Sequence, residues 1–437
     1  MHLCKKFFAH EMRLRLKNPS GTGGFSLGVP PLGGFNNVSP KVGTPNGYFK
    51  HPLRTFAALL LLGLEAANSA VRVAAATKTP AANTTSSATN IMAAVANFHN
   101  GAVTDHVKWL DTSGDLINAH DGGISYAGGK YHWYGMALRP LPAIGGANGG
   151  QKTMVGVVMY GSANLYDWAY EGAILECSTN TTSSLCGPMR FERPKIIYND
   201  TTKKYVMWFH YVGRPGDHGA QIGSGEAGVA SCGTINGKYT FHGYTRPLGT
   251  NGIVRDCALY KDDDGTAYFI YDRDVRVPGP DFGRVLHVVK LTGDYLACTT
   301  KFHKITDAPG REAPVMLKHS GFYFLITSAQ SGWRFNRANY YRAANILGPY
   351  TELGDPCVGA NTHTTFNSQG THTFAVEGKK DAFIFISERH NTACMMDSSF
   401  IFLPVIFPSS STLQLKYLPT WDLDYWTFDN KQRRSND

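Results

Sequence analysis

The sequence predicts an all-β chain folded as a five-bladed β-propeller, on three observations. Gly (47) and Pro (22) make up about one residue in six of 437, beside 22 Tyr, 24 Phe and 7 Trp, a composition of short strands and tight turns rather than of helices. Five apolar-aromatic strands recur, each behind a turn rich in Gly, Asp, Asn or Lys. A polar residue stands at the start of the strand before each of them: Asp121, Glu192, Asp256, Glu312 and Gln369, separated by 71, 64, 56 and 57 residues. A period of roughly 60 residues with about four strands per unit is that of a propeller blade.

In order, the recurring strands are 130–135 (KYHWYG), 204–210 (KYVMWFH), 266–272 (TAYFIYD), 322–328 (FYFLITS) and 381–387 (DAFIFIS). The turns that lead into them are 127–129 (AGG), 199–203 (NDTTK), 262–265 (DDDG), 319–321 (HSG) and 377–380 (EGKK). Gly and Asn supply positive φ there, and Asp bonds its own backbone, which is hairpin chemistry. Asp262-Asp263-Asp264-Gly265 resembles the opening of a calcium loop, but no Glu follows at the required spacing, so a hairpin turn is the better reading. The propeller is expected over residues 101–437.

Blades surround one axis, so equivalent positions of the inner strands converge there. Residues far apart in sequence then become one ring of four acids and an amide lining a pocket. Clustered acids bind a cation, share protons or cleave a glycosidic bond, and a lectin-like site is a further use. Glycoside hydrolysis needs a proton donor and a group that activates water or attacks carbon, with about 6.5–9.5 Å between them when the configuration inverts. Neighbouring anions raise one carboxyl's pKa and keep it protonated for acid duty. Trp333 is a candidate for stacking on a sugar face.

Charge and cysteine usage exclude other classes. Of the net charge of +9, +7 belongs to residues 1–54, which hold eight Lys/Arg and the single acid Glu11; the other 383 residues carry +2. The expected propeller is close to neutral, which does not indicate a nucleic-acid surface. No Gly-rich phosphate loop, G-x-S-x-G elbow or HExxH motif is present. The apolar run 56–64 (FAALLLLGL) follows Arg54 and precedes 67–70 (ANSA). It is shorter than the about 20 residues a membrane span needs and suits a signal-peptide core. Residues 1–70 are therefore read as a basic leader with a signal peptide or signal anchor, and 71–100, rich in Ala, Thr, Ser and Asn, as a flexible linker. Sequons at Asn83, Asn180 and Asn199 fit a secreted or endomembrane protein. Seven cysteines follow the leader at spacings that fit no zinc motif; Cys177 and Cys186 bracket a short loop and are the expected disulfide, with Cys257 the expected free thiol.

The same segments resemble glycoside hydrolase family 43, most of all its exo-β-1,3-galactanase branch. The resemblance runs from Trp109 nearly to Trp426 and is carried by 192–199 (ERPKIIYN), Arg255-Asp256, 312–314 (EAP), 331–333 (SGW), 347–349 (LGP) and Ser368-Gln369. It implies a five-bladed propeller in which Glu312 is the general acid. Asp256 would tune that acid's pKa and contact the terminal sugar. Gln369 with Glu192 would stand in for the water-activating Asp that the wider family carries in its first blade. A neutral amide is a poor base, so this last role needs a tautomer or a relay.

The chain departs from the branch at several positions. Asp121 stands where the branch has Gly and coincides with the wider family's base. Met136 replaces a Glu, Gln330 a Thr and His218 a sugar-contacting Tyr. A late Gly-Asp-Arg-Trp reads Ser387-Glu388-Arg389-His390. Asp121, His218, Gln330 and Trp333 are thus the expected sugar-binding residues. The resulting expectation is an inverting exo-hydrolase of β-1,3-galactan or arabinogalactan chains. It would need no cofactor or metal, act as a monomer, and have no room for an appended carbohydrate-binding module. Another exo-glycosidase, acting on galactofuranose or arabinose residues, and a non-catalytic sugar-binding propeller are the rival readings.

Overall fold

The computed structural model describes residues 96–138, 154–180, 182–185, 190–212, 225–276, 278, 283–305 and 310–427. The leader, nearly all of the expected linker, Cys186 and His218 lie outside the described residues. A short strand, β1 (Phe98–His99), opens the fold. Blade 1 comprises β2 (His120–Ala127), β3 (Lys130–Leu138), β4 (Met154–Ser162) and β5 (Ala169–Glu176). Blade 2 comprises β6 (Arg190–Asn199), β7 (Lys204–Val212), β8 (Glu226–Cys232) and β9 (Thr240–Thr245). Blade 3 comprises β10 (Gly252–Lys261), β11 (Ala267–Val275), β12 (Gly283–Leu291) and β13 (Cys298–Lys304). Blade 4 comprises β14 (Arg311–His319), β15 (Phe322–Ala329), β16 (Asn339–Ala343) and β17 (Thr351–Gly354). β18 (Cys357–Val358) then runs parallel along the outer strand of blade 5, which comprises β19 (Gln369–Ala375), β20 (Phe383–Arg389), β21 (Ser399–Ser409) and β22 (Thr412–Lys416). β23 (Thr420–Trp421) pairs back onto β1.

Each blade is an antiparallel meander, and the first strands touch in a closed ring, β2–β6–β10–β14–β19–β2. The five aromatic strands read from the sequence are the second strands β3, β7, β11, β15 and β20. They are apolar almost throughout because a neighbouring blade covers each of their two faces; β11 is buried at every position. The outer strands lack that cover, and β9 and β13 accordingly mix polar and exposed positions. Five apolar clusters fill the five junctions between blades. Trp208 in the junction of blades 2 and 3 is fully buried and donates its indole N–H to the Tyr295 carbonyl (2.8 Å). Such a side chain contributes its area at about 25 cal/mol per Å² and leaves no unpaired donor.

The ring closes where the segment ahead of blade 1 meets blade 5 and the segment after it. Asn100 donates to the carbonyls of Phe402 and Leu418 (both 2.8 Å) and accepts from the Phe402 N–H. Buried Arg389 reaches the carbonyls of Asn367, Phe366, Ala102 and Asp105, clamping blade 5 to the segment ahead of blade 1. The linker expected over 71–100 therefore ends too late: Phe98 and Asn100 are wholly buried parts of the closure. A long-range partner, invisible in local composition, fixes that boundary.

Other expectations resolve at single residues. Cys257 is a buried thiol, pushed up to about 12 by its burial. Asp262–Gly265 is the β10–β11 hairpin turn, Gly265 sits at φ 79°, and Lys318 of blade 4 pairs with Asp262 and Asp263 (both 2.7 Å). The acids there serve a lysine across the blade junction. The two described sequons differ. Asn180 is exposed, whereas Asn199 is 1% exposed, gives its amide N–H to the Gly293 carbonyl (2.8 Å) and accepts from the N–H groups of Thr201 and Thr202. In a secretory host, Asn180→Gln is expected to remove a glycosidase-sensitive gel shift. Asn199→Ala should leave that shift in place and lower stability by about 1–3 kcal/mol in urea unfolding, the cost of orphaning buried partners. A glycan found on Asn199 would contradict this packing.

Candidate active site

The inner strands carry the same irregularity at the same end. In blades 1 to 4 two residues of the first strand bulge against one of the second: Asp121-Gly122, Arg193-Pro194, Arg255-Asp256 and Ala313-Pro314. In blade 5 the single extra residue is Thr371. Bulges re-aim side chains and end regular pairing. Asp121, Arg193 and Ala313 adopt left-handed backbone at φ 52°, 53° and 52°, a costly conformation for non-glycine residues that gathers at functional sites. The period of about 60 residues holds for blades, but the five polar residues are not strict equivalents. Glu192 and Glu312 precede their bulges, Asp121 is the first bulge residue and Asp256 the second. Bulge geometry, rather than strand register alone, gathers them.

Glu312 is 7% exposed. Burial, and then the negative charge of Asp256, push its carboxyl from an ordinary 4.5 up to about 8, against the opposing pull of Arg284 and Arg193. It is therefore a proton carrier at neutral pH. Asp256 lies beside it and accepts from the Ala313 N–H (3.2 Å), so it also fixes the backbone that carries the acid. Its charge is balanced by Arg193, whose Nε stands 3.1 Å from Asp256 Oδ2.

Arg193 is the hub of the site, at 2% exposure. Besides Asp256 it donates to the Gly370 carbonyl (3.0 Å) and to Gln369 Oε1 (2.5 Å). Gln369 spends its other end on Ser328 Oγ (2.7 Å) and Glu312 Oε1 (3.4 Å). Its amide is thus in contact with the acid itself.

Glu192 is 8% exposed and its Oε2 lies 3.0 Å from Nδ1 of His210. Asp121 is 2% exposed; its Oδ1 is 3.6 Å from His390 Nε2, and its backbone N–H donates to Glu388 (2.9 Å). His390 in turn packs edge-on against Trp333, with centroids 5.0 Å apart. Asp121, Glu388 and His390 offer ligand atoms within 4.8 Å of one another. Beside that trio, Glu388 lies 2.7 Å from His120 Nδ1, and the buried Arg193 and Lys195 both interact with Asp121. Lys195, lowered to about 7 by burial and then by Arg193, donates to the Asp121 carbonyl (2.9 Å).

Of the residues read from the sequence, Glu312, Asp256 and Gln369 form one network through Arg193. Asp121 joins it from the side of His390 and Trp333, while Glu192 pairs with His210. Gln330 turns its amide to Asp272 (3.3 Å) and to the Arg311 carbonyl (3.3 Å), one step behind the acid. Met136 is fully buried in the apolar junction of blades 1 and 2, so the position is part of the core. Sequence reasoning missed Arg193, Arg284, Asp272 and His210. Arg193 had a signal, because a ring of acids in an inner strand needs buried cations and Arg193 and Lys195 flank Pro194. Arg284 had none, since it reaches in from a third strand.

Residues 147–400, more than half of the chain, match the family model described as glycosyl hydrolases family 43. A beta-xylosidase of Bacillus subtilis (strain 168) is 30% identical over 145 residues, a match covering 32% of this chain and 26% of that protein. A solved GH43 β-1,3-galactosidase is 30% identical with a TM-score of 0.65, over 76% of this chain and 64% of that one. An exo-β-1,3-galactanase from Phanerochaete chrysosporium, solved with β-1,3-galactotriose, is 27% identical with a TM-score of 0.62, over 75% and 68% of the two chains. The chain thus spans about a quarter of the xylosidase and just under two thirds of the galactosidase. The sequence match and the shared propeller agree, and this chain belongs to glycosyl hydrolases family 43.

Proposed function

We propose that this protein is an exo-acting glycoside hydrolase that releases galactose from β-1,3-linked galactan or arabinogalactan chains with inversion, in the secretory pathway or outside the cell. The observation that carries the reading is Glu312, a buried carboxyl pushed up to about 8 beside the charge-balanced Asp256. The solved relatives named for β-1,3-galactosidase and exo-β-1,3-galactanase activity support the choice of sugar and linkage. Glu312 gives its proton to the departing glycosidic oxygen as the C1–O bond breaks. A water attacks C1 from the opposite face and passes its proton to Asp121, the ionisable group of the network that is not tied to the acid. Arg193 and Gln369 hold the acid's geometry, and Trp333 backs the sugar.

The test is galactose release from linear β-1,3-galactan, with the first product's anomer read by NMR. Galactose released first as the α anomer is the expected result, and absence of release overturns the reading. Asp121→Asn is expected to lower kcat by about 10²-fold or more. Full turnover in Asp121→Asn together with a dead Gln369→Ala would return water activation to Gln369 and Glu192. A second reading, an exo-glycosidase for arabinose or galactofuranose residues, rests on the sequence alone: Met136, buried in the core of the blade 1–2 junction, stands where the galactanase branch has a carboxylate. Release of those sugars but not of galactose would select it.

A further inference from the structure

Glu312 shares its cation with a second buried acid. Asp272 of β11 is wholly buried, and its Oδ2 accepts a short hydrogen bond from Arg284 Nη2. The same Nη2 donates to Glu312 Oε2 at 3.1 Å. Gln330 Nε2 adds a donor to Asp272 Oδ2 at 3.3 Å. Among the described residues Asp272 Oδ1 and Arg284 Nε have no hydrogen-bond partner. One guanidinium nitrogen therefore serves two buried carboxyls, and Asp272 Oδ1 is left without a donor.

We propose that Asp272 is a positioning residue that sets the proton affinity of Glu312 through Arg284. The two carboxyls compete for one cation, and the hold of Asp272 on Arg284 leaves Glu312 the protonated member of the pair. The inference rests on the reading of Glu312 as the general acid. Glu312 is faced by Asp256 of β10, Arg193 of β6, Asp272 of β11, Arg284 of β12 and the neutral Gln369 of β19 and Ser328 of β15, with Arg311 beside it on β14. Asp272 is faced by Arg284, Asp256 and Asp274. Asp256 has its own cation in Arg193, so Arg284 is left to the other two. Both carboxyls are displaced upward, Asp272 to about 7, by burial first. Interacting groups of this kind titrate as a pair.

Asp272→Asn removes a negative charge and frees Arg284 for Glu312, and both changes favour the Glu312 carboxylate. The basic limb of the kcat/KM profile on an aryl β-galactoside with a poor leaving group is expected to move to lower pH by about one unit or more. With a dinitrophenolate leaving group, which departs without a proton, neither protein is expected to show a basic limb that belongs to Glu312. Carbon-13 NMR titration of labelled Glu carboxyls reads the same shift without any turnover. If no sugar is released by the wild type, that titration still decides the coupling, so failure of the activity reading and failure of this inference are told apart. Should Asp272→Asn not fold, Arg284→Gln is the second variant, with the Glu312 titration moving to higher pH. A Glu312 titration unmoved in a folded variant overturns the proposal.

Discussion

Glu312→Gln is expected to lower kcat on β-1,3-galactan by about 10²–10⁴-fold, the usual contribution of a positioned proton donor. Activity toward a dinitrophenyl galactoside should largely survive, because that leaving group needs no proton. The same substitution should raise stability. The folded carboxyl titrates at about 8 and the unfolded one near its ordinary 4.5. Below 4.5 both states are protonated and the substitution changes little. Between 4.5 and 8 the unfolded state gives up its proton while the folded state keeps it, so wild-type stability falls as pH rises. Glutamine does not titrate. The variant's advantage therefore grows through this window and levels off above it, reaching on the order of a few kcal/mol. Urea unfolding at pH 4, 6 and 8 measures it. Equal stabilities at all three would mean that the carboxyl is not held neutral, and the acid role would lose its physical basis. Sites that trade stability for chemistry show this opposition of sign.

Arg193→Met should be the most destabilising single change at the site. It strips the cation from the Asp256 carboxylate and the donors from Gln369 Oε1 and the Gly370 carbonyl, in a position 2% exposed. Because the Asp256 side chain keeps 20% of its surface exposed, losing its partner is expected to cost about 1–3 kcal/mol, less than a fully buried pair would. Activity should fall with it as Glu312 and Asp256 lose their relative placement. Arg193→Lys should rescue little, since one ammonium does not span three acceptors set by a planar guanidinium. Adding Asp256→Asn to Arg193→Met should recover part of the stability, because the orphaned charge is then gone; the double-mutant cycle isolates that coupling. A loss below about 1 kcal/mol would show that the pair is solvated rather than buried.

The propeller was legible for a physical reason. A second strand packed between two blades must be apolar on both faces, and a hairpin must turn on Gly, Asn or Asp. Thus 130–135, 204–210, 266–272, 322–328 and 381–387 mark the blades directly, within three residues of the ends of β3, β7, β11, β15 and β20. The inner-strand acids were legible as well, because a polar residue at the start of an apolar strand is conspicuous.

Their partners were not. Which cation neutralises Asp256, which amide touches Glu312 and which second acid shares Arg284 depend on bulges that rotate side chains by local twist and on contacts across blades far apart in sequence. The same holds for Asn199, a sequon in the chain and a buried hairpin anchor in the fold, and for Phe98, a linker residue by composition that closes the ring. Composition and period are local properties, so one strand suffices to reveal them. Charge balance and proton affinity depend on distance and burial, and those exist only once the five blades have closed around the axis.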